Sequence, residues 1–161
     1  MSQEKYSLPR REEVPVEQTW DLRSMFESDE KWEEKFKELE GRLSEVDSYR
    51  GTLTKSADHL LKGLRFNEEV WQELGILYVY AHLNFDVDTT NAKYQAMQAR
   101  VEALLSKFAA AMSFYDSELL AADEALIKSY LQENEDLQLY VHYYDRLSKQ
   151  RPHILSEKEE K

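Results

Sequence analysis

Apolar residues recur at steps of three and four along most of this chain, which is the spacing of one face of an α-helix. From Ser28 the pattern predicts a first helix with charged residues on its opposite face, and Gly51 closes that segment. The apolar positions of this helix are Trp32, Phe36, Leu39, Leu43 and Val46. No stretch alternates polar and apolar residues for long enough to predict a sheet, and no repeat of fixed period is present. The pattern favours an all-helical protein.

Polar residues that favour helix starts divide the next apolar positions into two predicted helices. Ser56 is placed to cap a short second helix that runs through Leu64. Asn67, which two glutamates follow, is placed to open a third helix that ends near Asp86. The apolar positions of the third helix are Val70, Leu74, Leu77 or Tyr78, and Ala81.

The longest helical stripe follows a predicted turn at Asp88-Thr89-Thr90-Asn91. Its members are Tyr94, Met97, Val101, Leu104, Leu105, Phe108 and Met112. Ser117 and Asp123 are then predicted to start shorter helices, and a last helical stretch runs from Leu137 to Leu147 before the breaker at Pro152. We therefore predict an all-α fold, a helical bundle of about six or seven helices that spans residues 28–151.

The first 27 residues are predicted to form an extended N-terminal arm. Pro9 and Pro15 stand among charged residues and are incompatible with a regular helix in this region. The apolar end of the arm is expected to dock against the helices, because burial of aromatic side chains is strongly favourable. The docking residues would be Trp20, Leu22, Met25 and Phe26.

The last ten residues, 152–161, contain a helix-start signal with no apolar run behind it. Ser156-Glu157-Lys158-Glu159 is a capping box, in which the serine side chain and the glutamate side chain satisfy each other's backbone N–H groups. We interpret residues 152–161 as the start of a linker or first helix into a further domain. A frayed, charged tail is the alternative interpretation.

Composition excludes several classes of function. The formal net charge is −11, which disfavours binding to nucleic acid or to an anionic membrane surface. No apolar stretch approaches the roughly 20 residues that a membrane-spanning helix needs. The chain has no cysteine, so disulfides, thiol catalysis and thiolate metal sites are excluded, and a cytoplasmic location fits this.

The residues offer no assignable catalytic, cofactor-binding or metal-binding site. The four histidines are not spaced three or four apart, so the paired-histidine face of a zinc-binding helix is absent. His82 and Asp86 are four apart on one predicted helix and could share a ligand, but a surface or capping role is the favoured interpretation. The glycines are too widely separated to build a phosphate-binding loop.

The ten tyrosines leave two interpretations open. They could line a groove that holds a peptide, since a tyrosine ring offers contact area and its hydroxyl a hydrogen bond. The favoured alternative places the rings in the core with their hydroxyls directed outward, because these positions follow helical spacing. The tyrosines in question are Tyr78, Tyr80, Tyr140, Tyr143 and Tyr144.

Three stretches, in this order and separation, resemble the oligoendopeptidase F family of thermolysin-like zinc endopeptidases. Val14-Pro15-Val16-Glu17-Gln18-Thr19-Trp20-Asp21-Leu22 is similar to the opening of the family's sequences. Asp86-Val87-Asp88-Thr89-Thr90-Asn91, after Leu77-Tyr78-Val79-Tyr80-Ala81, resembles the family's turn between two N-terminal helices. Pro152-His153-Ile154-Leu155-Ser156-Glu157 resembles the point at which the N-terminal domain meets the catalytic domain.

The resemblance implies a cytoplasmic zinc metallopeptidase that hydrolyses short peptides inside a channel. In that family a His-Glu-x-x-His helix and a downstream glutamate bind zinc, and nothing in these 161 residues matches either element. The resemblance therefore implies that this segment is the noncatalytic N-terminal domain, a helical wall or lid of the substrate channel, with its own catalytic domain as partner and with zinc bound elsewhere in the parent chain.

Two hypotheses follow from the sequence. The first is this noncatalytic domain, inactive in isolation, whose exposed apolar face could drive artificial dimerisation. The second is a free-standing helical adaptor that recruits another protein through a tyrosine-rich surface.

Overall fold

The computed structural model describes Pro9 and residues 13–151, and in these residues the chain is α-helical without any β-strand. Six α-helices occur in this described part, namely α1 Asp29–Arg42, α2 Ala57–Val87, α3 Ala92–Met112, α4 Phe114–Ala121, α5 Glu124–Glu133 and α6 Val141–Ser148. Short 3-10 segments at Val16–Gln18, Leu22–Ser24, Leu43–Tyr49 and Glu135–Tyr140 join or precede them. The all-α prediction is confirmed. The predictions for the Ser156 capping box, for Pro152 and for the beginning of the arm fall outside the described residues.

The packing of the backbone divides the chain into two compact units, and α2 and α3 each contribute to both. The first unit contains the described residues up to Glu40 together with residues 73–105. The second unit contains residues 41–72 together with the described residues from Ser106 onward.

The first unit is built on the apolar face of α1. Ser28 precedes the helix, and its hydroxyl accepts a hydrogen bond from the backbone N–H of Lys31 at 3.4 Å. The predicted stripe points inward, and each large side chain buried here contributes on the order of 1.5–3 kcal/mol. The buried residues of this unit are Trp32, Phe36, Leu39, Leu74, Leu77, Tyr80, Ala81, Met97, Val101 and Leu104.

The core of the second unit gathers the first part of α2 with α4, α5 and α6. Ser56 caps α2 as predicted, because its Oγ accepts a hydrogen bond from the backbone N–H of His59 at 3.2 Å. Asp123 caps α5, and its carboxylate accepts from the backbone N–H of Ala125 at 2.7 Å. The central cluster consists of Leu60, Leu61, Leu64, Leu119, Ile127, Leu131, Leu137, Tyr144 and Leu147.

The predicted break between the second and third helices is wrong, because α2 runs without interruption from Ala57 to Val87. Asn67 does not cap a new helix. Its Oδ1 instead accepts a hydrogen bond from the Trp71 indole N–H, one turn further along the same helix, at 3.0 Å. Buried Phe66 and Val70 continue the apolar stripe across this point. Packing on both sides of Asn67 therefore outweighs the capping preference of its side chain.

The predicted start of a helix at Ser117 is also wrong, since α4 already begins at Phe114. The Ser117 hydroxyl lies inside the helix and donates to the backbone oxygen of Phe114 at 3.0 Å. The predicted first helix is shorter than expected, because α1 ends at Arg42 and Leu43–Tyr49 form a 3-10 segment. Gly51 follows this segment and ends it as predicted. It has φ of +70°, in the left-handed region that glycine adopts without a steric penalty.

The predicted docking of the arm's apolar end is confirmed for Phe26 and wrong for Trp20. Phe26 packs edge to face on Tyr80, with 5.3 Å between the ring centroids. Trp20 is 86% exposed. Between residues 13 and 27 the described backbone forms two short 3-10 turns and no α-helix.

Candidate interaction surfaces

A groove of about 540 Å³, lined mainly by charged residues, lies between α1 and α3 in the first unit. Buried Trp32 and Met97 contribute to its lining. The Trp32 indole N–H donates to the backbone oxygen of Leu77 at 2.9 Å, which fixes the ring against α2. Apart from Ala96, the rest of the lining is charged, with residues Asp29, Glu30, Glu33, Glu34, Lys37, Lys93 and Arg100.

The Arg100–Glu33 pair crosses this groove from α3 to α1. The guanidinium donates to both carboxylate oxygens of Glu33, at 2.7 and 2.9 Å, in the bidentate geometry that suits arginine. These hydrogen bonds hold the pKa of Glu33 below its usual range. The same guanidinium lies 4.3 Å from the centre of the Phe36 ring, a cation–π contact.

The Asp29 carboxylate, at the start of α1, interacts with two tyrosine hydroxyls and one lysine ammonium group. The Tyr80 hydroxyl donates to its Oδ1 at 2.7 Å, and the Tyr94 hydroxyl donates to its Oδ2 at 3.3 Å. The Lys93 ammonium lies 2.5 Å from Oδ2. Burial disfavours the charged carboxylate, but these donors outweigh burial and hold the pKa of Asp29 below its ordinary value.

The remaining charged residues of the groove are also engaged. Lys37 lies 3.6 Å from Glu33, Glu34 lies 2.7 Å from Lys31, and Glu30 accepts a hydrogen bond from Ser28. A charged ligand would have to displace one of these partners to bind. The groove is therefore a structural network of ion pairs rather than a prepared binding site.

A second groove, of about 460 Å³, lies in the first unit beside the C-terminal end of α2. Its lining is mostly apolar and includes Val14, Trp20, Leu22, Leu83 and Val87. The Asn84 side chain also lines it, but its Nδ2 already donates to the backbone oxygen of Tyr80 at 2.9 Å.

The tyrosines largely follow the favoured interpretation of rings that pack inward and hydroxyls that reach outward. Tyr80 and Tyr144 are buried, and Tyr140 and Tyr143 are half-buried. The Tyr140 hydroxyl donates to Glu68 at 2.6 Å, and the Tyr143 hydroxyl donates to Asp116 at 2.5 Å. Tyr78 is half-buried and stacks on His82. The hydroxyls of Tyr80, Tyr140 and Tyr143 are thus already committed to carboxylates.

These hydroxyl–carboxylate pairs also raise the pKa of the tyrosines. Burial, together with the Glu68 carboxylate, raises the pKa of Tyr140 to about 12. Burial and Asp116 raise the pKa of Tyr143 above its ordinary value in the same way. Both hydroxyls therefore keep their protons, and their hydrogen bonds, at any physiological pH.

Two polar side chains of the second unit hold its loops, and sequence reasoning missed both. The Glu118 carboxylate on α4 accepts hydrogen bonds from the backbone N–H groups of Gly51 and Leu53, each at 2.8 Å. Arg151 donates to the backbone oxygens of Leu120 at 2.7 Å and Ala122 at 3.1 Å, at the C-terminal end of α4. Both pairings join positions more than twenty-five residues apart, which no local sequence signal encodes.

The described residues do not fit a zinc ion. His82 Nε2 lies 3.4 Å from Asp86 Oδ2 on the exposed surface of α2, and these two groups acquire no third ligand. Among the described residues, no three histidine, aspartate or glutamate side chains are grouped to hold a metal ion. His153 lies outside the described residues.

None of the described helices combines the length and the apolar character that crossing a membrane requires.

Comparison with known proteins finds sequences and solved structures that are similar to this chain. A family profile described as Oligopeptidase F matches residues 118–161. Oligopeptidase PepF of Bacillus subtilis is 39% identical over 99% of this chain. The crystal structure of oligoendopeptidase-F from Enterococcus faecium is 36% identical, covers 83% of this chain and superposes with a TM-score of 0.71. These matches support an oligoendopeptidase F N-terminal domain.

The chain spans about a quarter of the length of the relatives it matches. It covers 24% of oligopeptidase PepF of Bacillus subtilis and 25% of group B oligopeptidase PepB of Streptococcus agalactiae, to which it is 37% identical. It covers 26% of the Enterococcus faecium chain. A structure from Chlamydophila abortus, 23% identical with a TM-score of 0.77 over 96% of this chain, shows the same fold.

Two of the three stretches that resemble oligoendopeptidase F have a clear place in the structure. Residues 14–22 lie in the arm, and five of them, Val14, Gln18, Thr19, Trp20 and Leu22, line the apolar groove. Residues 88–91 form the predicted turn between α2 and α3, in which the Asp88 carboxylate accepts from the backbone N–H of Thr90 at 3.0 Å. The Asn91 side chain then caps α3 by accepting from the backbone N–H of Lys93 at 3.0 Å. The third stretch, 152–157, lies outside the described residues.

Proposed function

We propose that this chain is the noncatalytic N-terminal domain of a cytoplasmic zinc metallopeptidase that hydrolyses short peptides. In this role it forms a wall or lid of the substrate channel, and the catalytic domain of the parent chain is its partner. The observation that carries the proposal is the alignment of nearly the whole chain with about a quarter of oligopeptidase PepF of Bacillus subtilis.

The charged residues of the groove between α1 and α3 pair with one another, and the Arg100–Glu33 pair is bidentate. No histidine takes part in that network among the described residues. The zinc ligands of the proposed enzyme would be contributed by other parts of the parent chain, and no catalytic step is assigned to a side chain in this segment.

The activity part of the proposal is tested by joining this chain to the remainder of oligopeptidase PepF. A chimera in which residues 1–161 replace the matching quarter of that enzyme is compared with this chain alone, each with added zinc and a short fluorogenic peptide. We expect zinc-dependent hydrolysis by the chimera and none by the isolated chain. Zinc-dependent turnover by the isolated chain would contradict the proposal.

The wall or lid part needs a second comparison, between peptides of different length. We expect the chimera to cleave a short peptide in preference to an unstructured polypeptide of the same composition. The PepF remainder without this domain is expected to lose that preference or to lose activity. An unchanged preference in the remainder alone would show that this domain does not limit access.

A further inference from the structure

Helix α2 is apolar on two sides in the part that belongs to the first unit. One side packs in the core, where Leu77 and Ala81 are fully buried. The other side carries Ile76, Val79 and Val87, which are 47%, 38% and 47% exposed. A helix that is apolar all round is typical of an element covered on every side, whereas a surface helix normally turns a polar face outward.

The exposed residues form one continuous stripe. Positions 76, 79, 83 and 87 follow each other at steps of three, four and four, so their side chains lie on one face of α2. Leu83 in this series is half-buried. We call the stripe, together with Trp20 beside it, the open face.

Trp20 extends the open face beyond the helix. It lines the apolar groove with Leu83 and Val87, and 86% of its surface is exposed. For an indole side chain of about 250 Å², this leaves on the order of 200 Å² of mostly apolar surface in water. The largest exposed apolar patch on a soluble monomer covers on the order of a few hundred Å² and is often functional.

The chemistry of the open face favours a folded, apolar partner over a peptide strand. A bound peptide needs donors and acceptors for its backbone, and two polar side chains that line the groove already donate within the domain. The Thr19 hydroxyl donates to the backbone oxygen of Val16, and the Asn84 amide donates to the backbone oxygen of Tyr80. Asp86 is the charged residue that lines the groove, and it lies 3.4 Å from His82. Tryptophan is also the residue type most enriched among the anchors of protein interfaces.

The chain length of the relatives indicates which folded partner would cover the open face. They match this domain over a quarter of their length, so each carries roughly three further lengths of polypeptide in the same chain. We propose that the open face is the surface on which the remainder of the parent polypeptide packs, with Trp20 as its anchor. This inference rests on the proposed function and assigns the partner to a particular face of the domain.

The absence of cysteine makes this inference testable by thiol labelling. Val79→Cys and Val87→Cys introduce single thiols on the open face, and Ala99→Cys introduces an exposed control on α3 of the same unit. Each variant is labelled with a maleimide at low protein concentration, as the isolated chain and as the PepF chimera, and the labelled sites are quantified by peptide mass spectrometry.

We expect labelling at positions 79 and 87 to slow by about tenfold or more in the chimera, because interface cores are packed as densely as protein interiors. Labelling at position 99 should not change. Equal labelling of 79 and 87 in the two proteins would overturn the inference, as would equal protection of all three positions. Protection already present in the isolated chain at the low labelling concentration, and lost only on further dilution, would assign the face to a tight dimer of this chain and would also overturn it.

Two outcomes of these experiments distinguish a failure of this inference from a failure of the proposed function. A chimera that hydrolyses peptide while positions 79 and 87 stay reactive refutes the open face and leaves the proposed function standing. An inactive chimera in which both positions are protected supports the open face and contradicts the proposed function. If the chimera does not fold, the aligned positions are replaced by cysteine in oligopeptidase PepF itself, and reactivity there overturns the inference directly.

Discussion

Leu53 lies where a Cβ on Gly63 would point, so we predict opposite effects of glycine-to-alanine substitution at Gly63 and Gly75 of α2. An ideal Cβ at Gly63 would lie 2.3 Å from Leu53 Cδ2, well inside van der Waals contact. An ideal Cβ at Gly75 would meet no such atom within 4 Å. Leu53 is fully buried, so its side chain has little space in which to move away.

The expected magnitudes follow from two terms. Alanine in place of glycine in a helix interior stabilises by about 1 kcal/mol, and this gain is common to the two sites. Overpacking of a dense core costs about 1–3 kcal/mol, and this cost applies only at Gly63. We therefore expect Gly75→Ala to raise the free energy of unfolding by about 1 kcal/mol and Gly63→Ala to lower it by as much as about 2 kcal/mol.

Equilibrium urea unfolding followed by far-ultraviolet circular dichroism measures both changes, with the slope m checked for constancy. The cause is tested in a double-mutant cycle with Leu53→Ala, which removes the clashing carbon. That change alone should cost about 2–5 kcal/mol, and its cost should be smaller when Gly63→Ala is present. A Gly63→Ala variant as stable as Gly75→Ala, or additive effects in the cycle, would refute the overpacking argument.

Three further predictions concern polar contacts and association. Glu118→Ala leaves the backbone N–H groups of Gly51 and Leu53 without their acceptor and should lower the free energy of unfolding by about 2–4 kcal/mol, whereas Glu118→Gln keeps one acceptor and should lose about half as much, in the same urea assay. The depressed pKa of Asp29 contributes stability that is complete above the unfolded value of about 3.9 and is lost as pH falls through the lower folded value. Asp29→Asn should therefore be less stable than the parent at pH 7, with a gap that narrows in acid; a constant gap from pH 7 to 3 would contradict this. The open face predicts weak self-association of the isolated chain, which sedimentation over a range of concentrations detects and a strict monomer would exclude.

Local signals in the sequence are sufficient for most of the helices. Ser56, Asn91 and Asp123 each have a short polar side chain that accepts a backbone N–H at the start of a helix, so a single residue marks the boundary. Asn67 carries the same signal and fails, because its side chain is taken by Trp71 and the helix is continued by packing. The difference lies in tertiary contacts, which a local pattern does not contain.

The features that define the surfaces depend still more on distant contacts. The exposure of Trp20 could not be read from its type, since aromatic residues near helices are more often buried. The bidentate pair of Arg100 with Glu33 joins residues 67 positions apart. By contrast, the stretch from Leu74 to Leu83 is legible in the sequence as the most apolar part of the chain, and it contains part of the open face.

The hydroxyl–carboxylate pairs of Tyr80, Tyr140 and Tyr143 make these three rings unsuitable as points of covalent regulation. A phosphoryl group on any of them would bring between one and two negative charges against an aspartate or glutamate that already occupies the hydrogen-bonding position. The modified side chain would lose its hydrogen bond and would be repelled by the carboxylate that now accepts from it.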